Sequence, residues 1–274
     1  MKLYRWLQMA QARLGAAGID NAYLESQLLA AHVLGVDRAW IIAHPEADFT
    51  DRGGADVLQR RLAREPLAYI LGWREFFGRR FSVGPDVLIP RQETEILVEA
   101  AFESALLIEP KHVLDLGTGS GCIGITLKLE VPAWHVVASD VSERALQVAQ
   151  ANALDLKVDL DLVNCDGADA FATNGFDLIV TNPPYVADLA DLMPEVANFE
   201  PRGALFAGPR GTFFYEKLAR DAGRIINGDG MLITEIGAGQ LEEVQPIFAF
   251  EGWLLMKVWK DLAEIDRVLA FKLY

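Results

Sequence analysis

Residues 112–121 read His112-Val113-Leu114-Asp115-Leu116-Gly117-Thr118-Gly119-Ser120-Gly121, an apolar run that leads directly into a glycine-rich turn. The apolar run predicts a buried strand, and residues 121–130 predict a helix, which Pro132 ends. Glycine adopts positive φ angles at low cost and lets a ligand come close to the backbone. A strand, a glycine turn and a helix in this order therefore indicate a cofactor-binding loop.

A second apolar run, residues 136–139, ends in Asp140 about nineteen residues after the glycine turn. A carboxylate at the tip of the second strand is placed to accept hydrogen bonds from both ribose hydroxyls of an adenosine. Gly119, Gly121 and Gly124 also satisfy the dinucleotide fingerprint, so a protein that binds NAD is the competing interpretation. Asp115 argues against NAD, because a carboxylate there disfavours a pyrophosphate and could instead meet a cationic amino-acid group.

Helix and strand patterns alternate from about residue 91 to the end of the chain. The predicted helices are 92–107, 121–130, 142–153, 212–227 and 239–248, and the predicted strands are 112–117, 135–140, 159–165, 176–182, 230–236, 253–260 and 268–274. This alternation predicts an α/β fold with a mostly parallel sheet covered by helices, and the last two strands are close enough to pair antiparallel. Residues 186–210 contain few periodic signals and predict a mobile loop over the site.

The strand at 176–182 runs into the tetrapeptide Asn182-Pro183-Pro184-Tyr185. Two consecutive prolines cannot donate to a β ladder, so the chain must leave the sheet there, at the strand end where open α/β sheets bind ligands. The Asn182 side-chain oxygen and the Pro183 carbonyl can each accept one N–H bond, while the Tyr185 ring covers the plane of the donor. The tetrapeptide is thus suited to grip a planar NH2 group, although Asn before Pro is also common in ordinary turns.

The glycine loop and the tetrapeptide together resemble those of S-adenosylmethionine-dependent methyltransferases that act on exocyclic or amide nitrogens. Further segments look like the HemK-like (PrmC-type) family, the N5-glutamine methyltransferases of peptide chain release factors. These segments are Pro66–Gly72, Phe76–Phe81, Val87–Glu95, Phe176–Tyr185, Glu200–Arg202 with Ala204-Leu205, Thr234–Gly237 with Gln240, Lys260-Asp261 and Asp266–Val268. They follow in order from about residue 66 to the end, so the resemblance covers most of the chain.

The resemblance implies a Rossmann-like class I methyltransferase sheet in residues 91–274. Before it, helical patterns in residues 1–65 predict a small N-terminal domain, to which the family assigns substrate docking. Residues 66–90 are predicted to be a β-hairpin linker, with the hairpin itself between Leu67 and Val83. The implied cofactor is S-adenosyl-L-methionine, and the implied reaction transfers its methyl group to the glutamine side chain of the Gly-Gly-Gln motif in peptide chain release factors.

The resemblance also assigns residues to the site. The implied catalytic residues are Asn182, Pro183 and Tyr185, and Pro184 joins them in binding the substrate. The implied cofactor-binding residues are Asp115, Gly117, Thr118, Gly119, Ser120, Gly121, Asp140, Asp166, Gly167 and Asn182. Glu93 is a weaker candidate for shaping the site around the methionine end of the cofactor, because the helix dipole already favours a carboxylate in the first turn of a helix.

The chain departs from the family at three places. Gly167 stands where relatives often carry a bulky aromatic residue beside the adenine, which leaves the adenine packing open. Residues 211–214 replace a Gly-Leu-Asp type sequence, and Glu264-Ile265 precede Asp266 where Gly-Arg is common. None of these changes removes a group that the chemistry needs.

Charge is distributed unevenly along the 274 residues, whose formal net charge is −14. Residues 1–89 carry 11 Lys and Arg against 10 Asp and Glu, a net charge of +1, and residues 90–274 carry 14 against 29, a net charge of −15. An acidic catalytic domain repels a phosphate backbone, so direct binding of nucleic acid is not expected. This argues against the alternative of an N-methyltransferase for an exocyclic nucleobase amine in DNA or RNA. Such an enzyme would bind the amine with the same pair of acceptor oxygens.

The remaining composition favours a cytoplasmic protein with no membrane segment, and the enzyme is expected to be a monomer. The sequence lacks a run of about eighteen apolar residues and a signal-peptide core. Cys122 and Cys165 are the two cysteines, which suit reduced thiols, and with only four histidines no metal site is expected. A basic stretch of arginines is interpreted as a solvated face rather than a docking surface; it comprises Arg60, Arg61, Arg64, Arg74, Arg79 and Arg80. A non-catalytic protein that keeps the fold stays a third alternative, against which the intact glycine loop argues.

Overall fold

The computed structural model describes residues 1–50 and 53–274. Its helices are α1 Leu3–Ala16, α2 Ala22–Leu34, α3 Arg38–Ala43, α4 Gly54–Leu62, α5 Leu67–Leu71, α6 Thr94–Ile108, α7 Cys122–Glu130, α8 Glu143–Asp155, α9 Pro194–Phe199, α10 Phe213–Ile225 and α11 Leu241–Phe250. Its strands are β1 Trp73–Phe76, β2 Arg79–Ser82, β3 His112–Leu116, β4 His135–Asp140, β5 Asp161–Asn164, β6 Phe176–Thr181, β7 Ile226–Glu235, β8 Trp253–Lys260 and β9 Asp266–Leu273.

Backbone contacts divide the described chain into two compact units. The helical unit comprises Met1–Trp73 together with Met193–Phe199, and the sheet unit comprises Arg74–Leu192 together with Glu200–Tyr274. The helical unit thus contains α1 to α5 and the later helix α9. The finer division into residues 1–65, 66–90 and 91–274 stays a prediction.

An apolar core holds the helical unit together. The rings of Trp6 and Phe49 stack with centroids 4.6 Å apart, and both side chains are almost fully buried. Gly54, the first residue of α4, packs directly against them, since a Cβ atom at this position would come within 2.7 Å of the Phe49 ring. The backbone of α4 can therefore approach the ring only because residue 54 has no side chain.

Arg61 corrects the interpretation of the arginine stretch as a solvated face. Its side chain is 7% exposed and donates to Glu25 at 2.6 Å and to Glu195 at 3.1 Å. Arg64 also contacts Glu195, at 3.0 Å, and Arg60 pairs with Glu65 at 2.6 Å. The charge at position 61 is buried because three carboxyl and carbonyl groups of the helical unit converge on its guanidinium.

The predicted hairpin begins later than the sequence pattern indicates. Residues 67–71 form the short helix α5, which follows Pro66 and ends at Gly72, a residue with φ of 81°. The two hairpin strands are β1 and β2. The helix forms because Pro66 is favourable at a helix start and Gly72 supplies the left-handed cap that ends it.

The sheet unit is built on a seven-stranded sheet in the order β5-β4-β3-β6-β7-β9-β8. Neighbouring strands from β5 to β7 are parallel, whereas β9 pairs antiparallel with both β7 and β8. Two apolar clusters contribute to its core, one containing Leu97, Ile123 and Val180 and the other containing Ile179 and Phe248. Val180 and Ile179 are successive residues of β6, so the two clusters lie on opposite faces of the sheet. The predicted α/β fold with a mostly parallel, helix-covered sheet is confirmed.

Residues 186–210 are more structured than the predicted loop. They contain α9 and a 3-10 turn at Arg202–Ala204. Val186 forms a parallel bridge with Phe206, donating to the Leu205 carbonyl at 2.8 Å and accepting from Ala207 at 2.9 Å. These backbone bonds join residues about twenty apart, which is why a pattern read along the chain does not detect them. Within the described residues, no helix has both the length and the hydropathy required to cross a membrane.

Candidate active site

A cavity of about 410 Å³ lies at the carboxyl ends of β3, β4 and β6. The parallel register places Leu116 beside Ser139 and Thr181, so the residues that follow these strands meet at one edge of the sheet. Ten of the predicted site residues line this cavity: Gly117, Thr118, Gly119, Ser120, Asp140, Asp166, Gly167, Asn182, Pro183 and Pro184. Three predicted residues do not line it: Asp115, Gly121 and Tyr185.

The glycine turn has the left-handed backbone that its sequence predicts. Gly117, Gly119 and Gly121 have φ angles of 76°, 56° and 82°, which favour glycine over all other residues. A Cβ atom at Gly117 or Gly119 would meet no atom within 4 Å. At Gly121 it would come within 2.9 Å of Ile125, so this glycine permits close packing of α7 rather than contact with a ligand.

Asp115 acts on the turn and not on the cavity. Its side chain is fully buried, and one carboxylate oxygen accepts from the Thr118 hydroxyl at 2.5 Å and from the Gly124 backbone at 2.8 Å. Burial raises the pKa of the Asp115 carboxyl to about 6. This geometry places one carboxylate oxygen against the helix that follows the loop. The contact between Asp115 and a cationic group of the ligand stays a prediction.

Asp140 extends from the end of β4 into the cavity. Its two oxygens accept one backbone bond each, from Gly119 at 2.9 Å and from Ser142 at 2.8 Å. Burial raises the pKa of this carboxyl. Since each carboxylate oxygen can accept more than one hydrogen bond, both retain capacity toward a ligand, and the two backbone bonds hold them in place.

The wall after β5 carries Asp166 and Gly167. Asp166 forms an ion pair with Lys217 of α10 at 2.7 Å. A Cβ atom at Gly167 would come within 3.1 Å of the Lys217 side chain, so the lysine stem lies close to the position where a larger residue would project. Phe214 and Leu218, also of α10, line the same wall and supply apolar surface.

Asn182 is connected to two residues that the sequence prediction did not include in the site. Its Nδ2 group donates to the Thr94 hydroxyl at 3.2 Å, and Thr94 in turn donates to the Glu235 carboxylate at 2.7 Å. Thr94 begins α6 and Glu235 ends β7, and both are almost fully buried. A glutamate at the end of the apolar strand 230–236 was the available signal, because a carboxylate in that position needs a partner.

Tyr185 faces Glu235 and not the cavity. Its hydroxyl donates to the second Glu235 oxygen at 3.4 Å, and its backbone carbonyl accepts from Gln240 at 3.0 Å. Gly211 approaches the same carbonyl so closely that a Cβ atom would lie 2.3 Å from it. Burial and the neighbouring Glu235 raise the pKa of the Tyr185 hydroxyl. The packing of the Tyr185 ring against the substrate stays a prediction.

The chain before α6 closes another side of the cavity, which Pro90 and Arg91 line. Glu200 holds this segment, because its buried carboxylate accepts from the Ile89 backbone at 3.1 Å and from Arg91 at 2.5 Å. In the part of the chain that the structure describes, no group of His, Cys, Asp and Glu side chains could hold a metal ion. The site thus consists of a glycine turn, an acidic strand end and an amide held by a hydrogen-bonded chain.

Two family models match the chain: the PrmC N-terminal domain over residues 5–72 and the Methyltransferase small domain over residues 92–199. The release factor glutamine methyltransferase of Koribacter versatilis is 40% identical, over 98% of both chains. That of Cereibacter sphaeroides is 42% identical, over 97% of both chains. The chain belongs to the release factor glutamine methyltransferase family. It also matches the bifunctional methyltransferase of Rickettsia bellii at 33% identity, of which it spans 55%.

Solved structures agree with this family assignment at the level of the fold. The catalytic domain of hMettl16, in complex with MAT2A 3'UTR hairpin 6, superposes with a TM-score of 0.57 at 18% identity, over 80% of this chain and 82% of that one. A methyltransferase from Pyrococcus furiosus gives a TM-score of 0.53 at 17% identity, over 81% of this chain and 98% of that one. The predicted Rossmann-like methyltransferase sheet is confirmed.

Family membership implies S-adenosylmethionine as the cofactor, and the cavity fits this molecule. Open space in the Cβ direction of Gly117 and Gly119 leaves the backbone of the turn accessible. Asp140 presents the acceptor pair that a ribose diol requires, and Phe214 and Leu218 offer apolar surface. We therefore retain Gly117, Thr118, Gly119, Ser120, Asp140, Asp166, Gly167 and Asn182 as the proposed cofactor residues.

Replacing Asp140 by Ala is expected to weaken cofactor binding by roughly tenfold to a hundredfold. The carboxylate makes charge-assisted hydrogen bonds, each worth about 1.5–3 kcal/mol. Titration calorimetry with S-adenosylmethionine measures the change. Asp161→Ala is the control, because it removes the same charge from the opposite edge of the sheet, where Asp161 begins β5 and is exposed. Equal affinity of the two variants would exclude Asp140 from the cofactor site.

Proposed function

We propose that this protein methylates the side-chain nitrogen (N5) of the glutamine in the Gly-Gly-Gln motif of peptide chain release factors. Relatives that are 39–42% identical over almost its whole length are named release factor glutamine methyltransferases. The observation that carries the proposal is the held amide of Asn182 beside the cofactor cavity, since a primary amide substrate needs an acceptor that does not rotate away.

Asn182 and Pro183 form the proposed grip. The only hydrogen bond of the Asn182 side chain to the described residues is the one that its Nδ2 donates to Thr94, which leaves Oδ1 free to accept. Pro183 lines the same cavity, and its carbonyl receives no hydrogen bond from the described residues. The two oxygens would accept the two N–H bonds of the glutamine amide and aim its nitrogen, while Pro184 covers one side.

S-adenosylmethionine, when bound, supplies an electrophilic methyl group. The glutamine nitrogen is a weak nucleophile because its lone pair is delocalised into the carbonyl. Asn182 Oδ1 and the Pro183 carbonyl would stabilise the positive charge that grows on this nitrogen until it releases one N–H proton to solvent, in a site where their dipoles are already oriented. Glu235 does not line the cavity, so it is not placed to take a proton from the substrate directly. Positioning and fixed dipoles therefore carry most of the proposed acceleration.

The N-terminal residues 1–65 are the proposed docking module for the release factor, with residues 66–90 as linker and 91–274 as catalytic domain. A protein substrate needs recognition beyond a single glutamine, and the described residues among 1–65 contribute none of the cavity lining. The protein is further proposed to act as a cytoplasmic monomer. Direct contact with nucleic acid is not proposed, because the net charge of −15 in residues 90–274 would repel a phosphate backbone.

A methyl-transfer assay with radiolabelled cofactor tests the proposed function. Purified release factor should accept the label, and a release factor whose Gly-Gly-Gln glutamine is replaced should not. DNA and RNA substrates are run in parallel, because a nucleobase amine fits the same grip. Label on nucleic acid and none on the release factor would overturn the proposal. Cofactor binding without transfer to any substrate would favour a protein that keeps the fold without the reaction.

A further inference from the structure

Glu235 is a buried carboxylate that the reaction described above does not use. It ends β7, and its side chain lies behind the cavity wall, where Thr94 and Tyr185 donate to its two oxygens. The backbone of the same residue accepts from the Tyr215 hydroxyl at 3.1 Å. A charge in such a position is costly and is retained only when its hydrogen bonds are satisfied. Glu235 is the end of a series of hydrogen bonds that begins at Asn182 and passes through Thr94.

The proton count along this chain determines which way the Asn182 amide faces. A threonine hydroxyl has one proton, and when Glu235 is ionised Thr94 gives this proton to its carboxylate. Thr94 must then act as acceptor toward Asn182, and only the NH2 end of the amide can donate to it. The oxygen end is consequently the one left free beside the cavity. An acceptor at Glu235 thus makes Asn182 an acceptor toward its ligand.

We propose that Glu235 is a positioning residue for methyl transfer, which acts through Thr94 to hold the Asn182 amide with its oxygen toward the glutamine substrate. This inference rests on the proposed function, because it concerns the orientation of the grip in that reaction. It assigns Thr94 as the relay and Glu235 as the group that sets the direction of the hydrogen bonds. Neither residue needs to touch the reacting atoms.

The surroundings of Glu235 make its protonation state sensitive to pH near neutrality. Burial raises the pKa of its carboxyl to about 7, while the hydrogen bonds from Thr94 and Tyr185 and the positive charge of Arg267 oppose the rise. Glu93 adds to the rise, and Cys122 and Tyr215 are near enough to interact electrostatically with this carboxylate. A protonated Glu235 can donate to Thr94, which frees the Thr94 proton for the Asn182 oxygen and removes the preference for the accepting orientation.

The test is steady-state methyl transfer to intact release factor between about pH 6 and pH 9, for the wild type and the variants Thr94→Val, Thr94→Ser and Glu235→Gln. Thr94→Val removes the relay hydroxyl, and we expect kcat to fall roughly tenfold or more, the equivalent of one lost hydrogen bond. Thr94→Ser keeps the hydroxyl and should stay within about threefold of the wild type. Wild-type kcat should rise with pH as Glu235 ionises, whereas Glu235→Gln, whose side chain does not titrate, should have a flat profile. The affinity of Glu235→Gln for S-adenosylmethionine, measured by calorimetry, should be unchanged.

The outcomes separate this inference from the proposed function. Equal kcat for Thr94→Val and Thr94→Ser, in an active wild type, would overturn the relay and leave the proposed function intact. Glu235→Gln with wild-type rates and the wild-type pH profile would also overturn it. A wild type that binds the cofactor but transfers no methyl group to the release factor would instead overturn the proposed function. If Glu235→Gln does not fold, the valine and serine pair at position 94 decides the question.

Discussion

Replacing Asn182 by Ala is expected to lower the rate of methyl transfer by on the order of a hundredfold or more, a loss larger than any change in cofactor affinity. Deleting one fixed charge-stabilising group in an active site has an effect of this size. Asn182 follows β6 and uses its side chain only on Thr94 and toward the cavity, so little core packing is lost. Single-turnover transfer to the release factor measures the rate, and calorimetry measures the cofactor affinity.

Asn227→Ala is the matched control for this variant. The Asn227 side chain also donates to a neighbouring group, Asp177, at 2.6 Å, but it lies near the start of β7, at the opposite edge of the sheet. We expect this variant to keep wild-type turnover. A folded Asn182→Ala protein with near-normal turnover would refute the amide grip.

Replacing Arg61 by Ala is expected to destabilise the helical unit by about 3–5 kcal/mol, which is the usual cost of removing one partner from a buried ion pair. Arg61 is 7% exposed and satisfies Glu25 and Glu195 together, whose side chains are 14% and 15% exposed. The second oxygen of Glu195 is buried without a partner among the described residues, so this carboxylate depends on its contacts with Arg61 and Arg64. Hydrogen exchange of the backbone amides in α2 and α4 measures the loss.

Arg60→Ala separates this effect from a general loss of charge. Arg60 pairs with Glu65 at 2.6 Å, but its side chain is 39% exposed, and exposed ion pairs contribute only about 0–1 kcal/mol. Exchange in the helical unit should therefore remain close to the wild type. Similar protection in the Arg60 and Arg61 variants would mean that the buried network does not stabilise the unit.

The parts of the site that sequence predicts are those that strand order places together. Asp140 and Asn182 are separated by 42 positions, yet Asp140 ends β4 and Asn182 follows β6, and both strands neighbour β3. Parallel pairing therefore brings their side chains to one cavity. Gly117 and Gly119 are predictable for a different reason, because their positive φ angles belong to a turn that a local sequence pattern indicates. Local patterns and sheet topology are enough for these residues.

Other features depend on contacts that no local pattern contains. Arg61 is buried because it pairs with Glu25 and Glu195, which lie 36 and 134 positions away in the sequence. Asp115 follows the pattern of a ligand-facing carboxylate, but Gly124 leaves room for it to turn onto α7. Tyr185 likewise turns toward a glutamate 50 positions further on. In each case tertiary packing chose between directions that the sequence allows equally.

The chain of hydrogen bonds from Asn182 through Thr94 to Glu235 also bears on how enzymes of this kind are recognised from genomes. A tetrapeptide of Asn, two Pro and Tyr does not state which end of its amide faces the ligand. The three residues together do, although they are spread over 142 positions from Thr94 to Glu235. A search that requires all three would separate chains with an oriented acceptor from chains that merely share the turn.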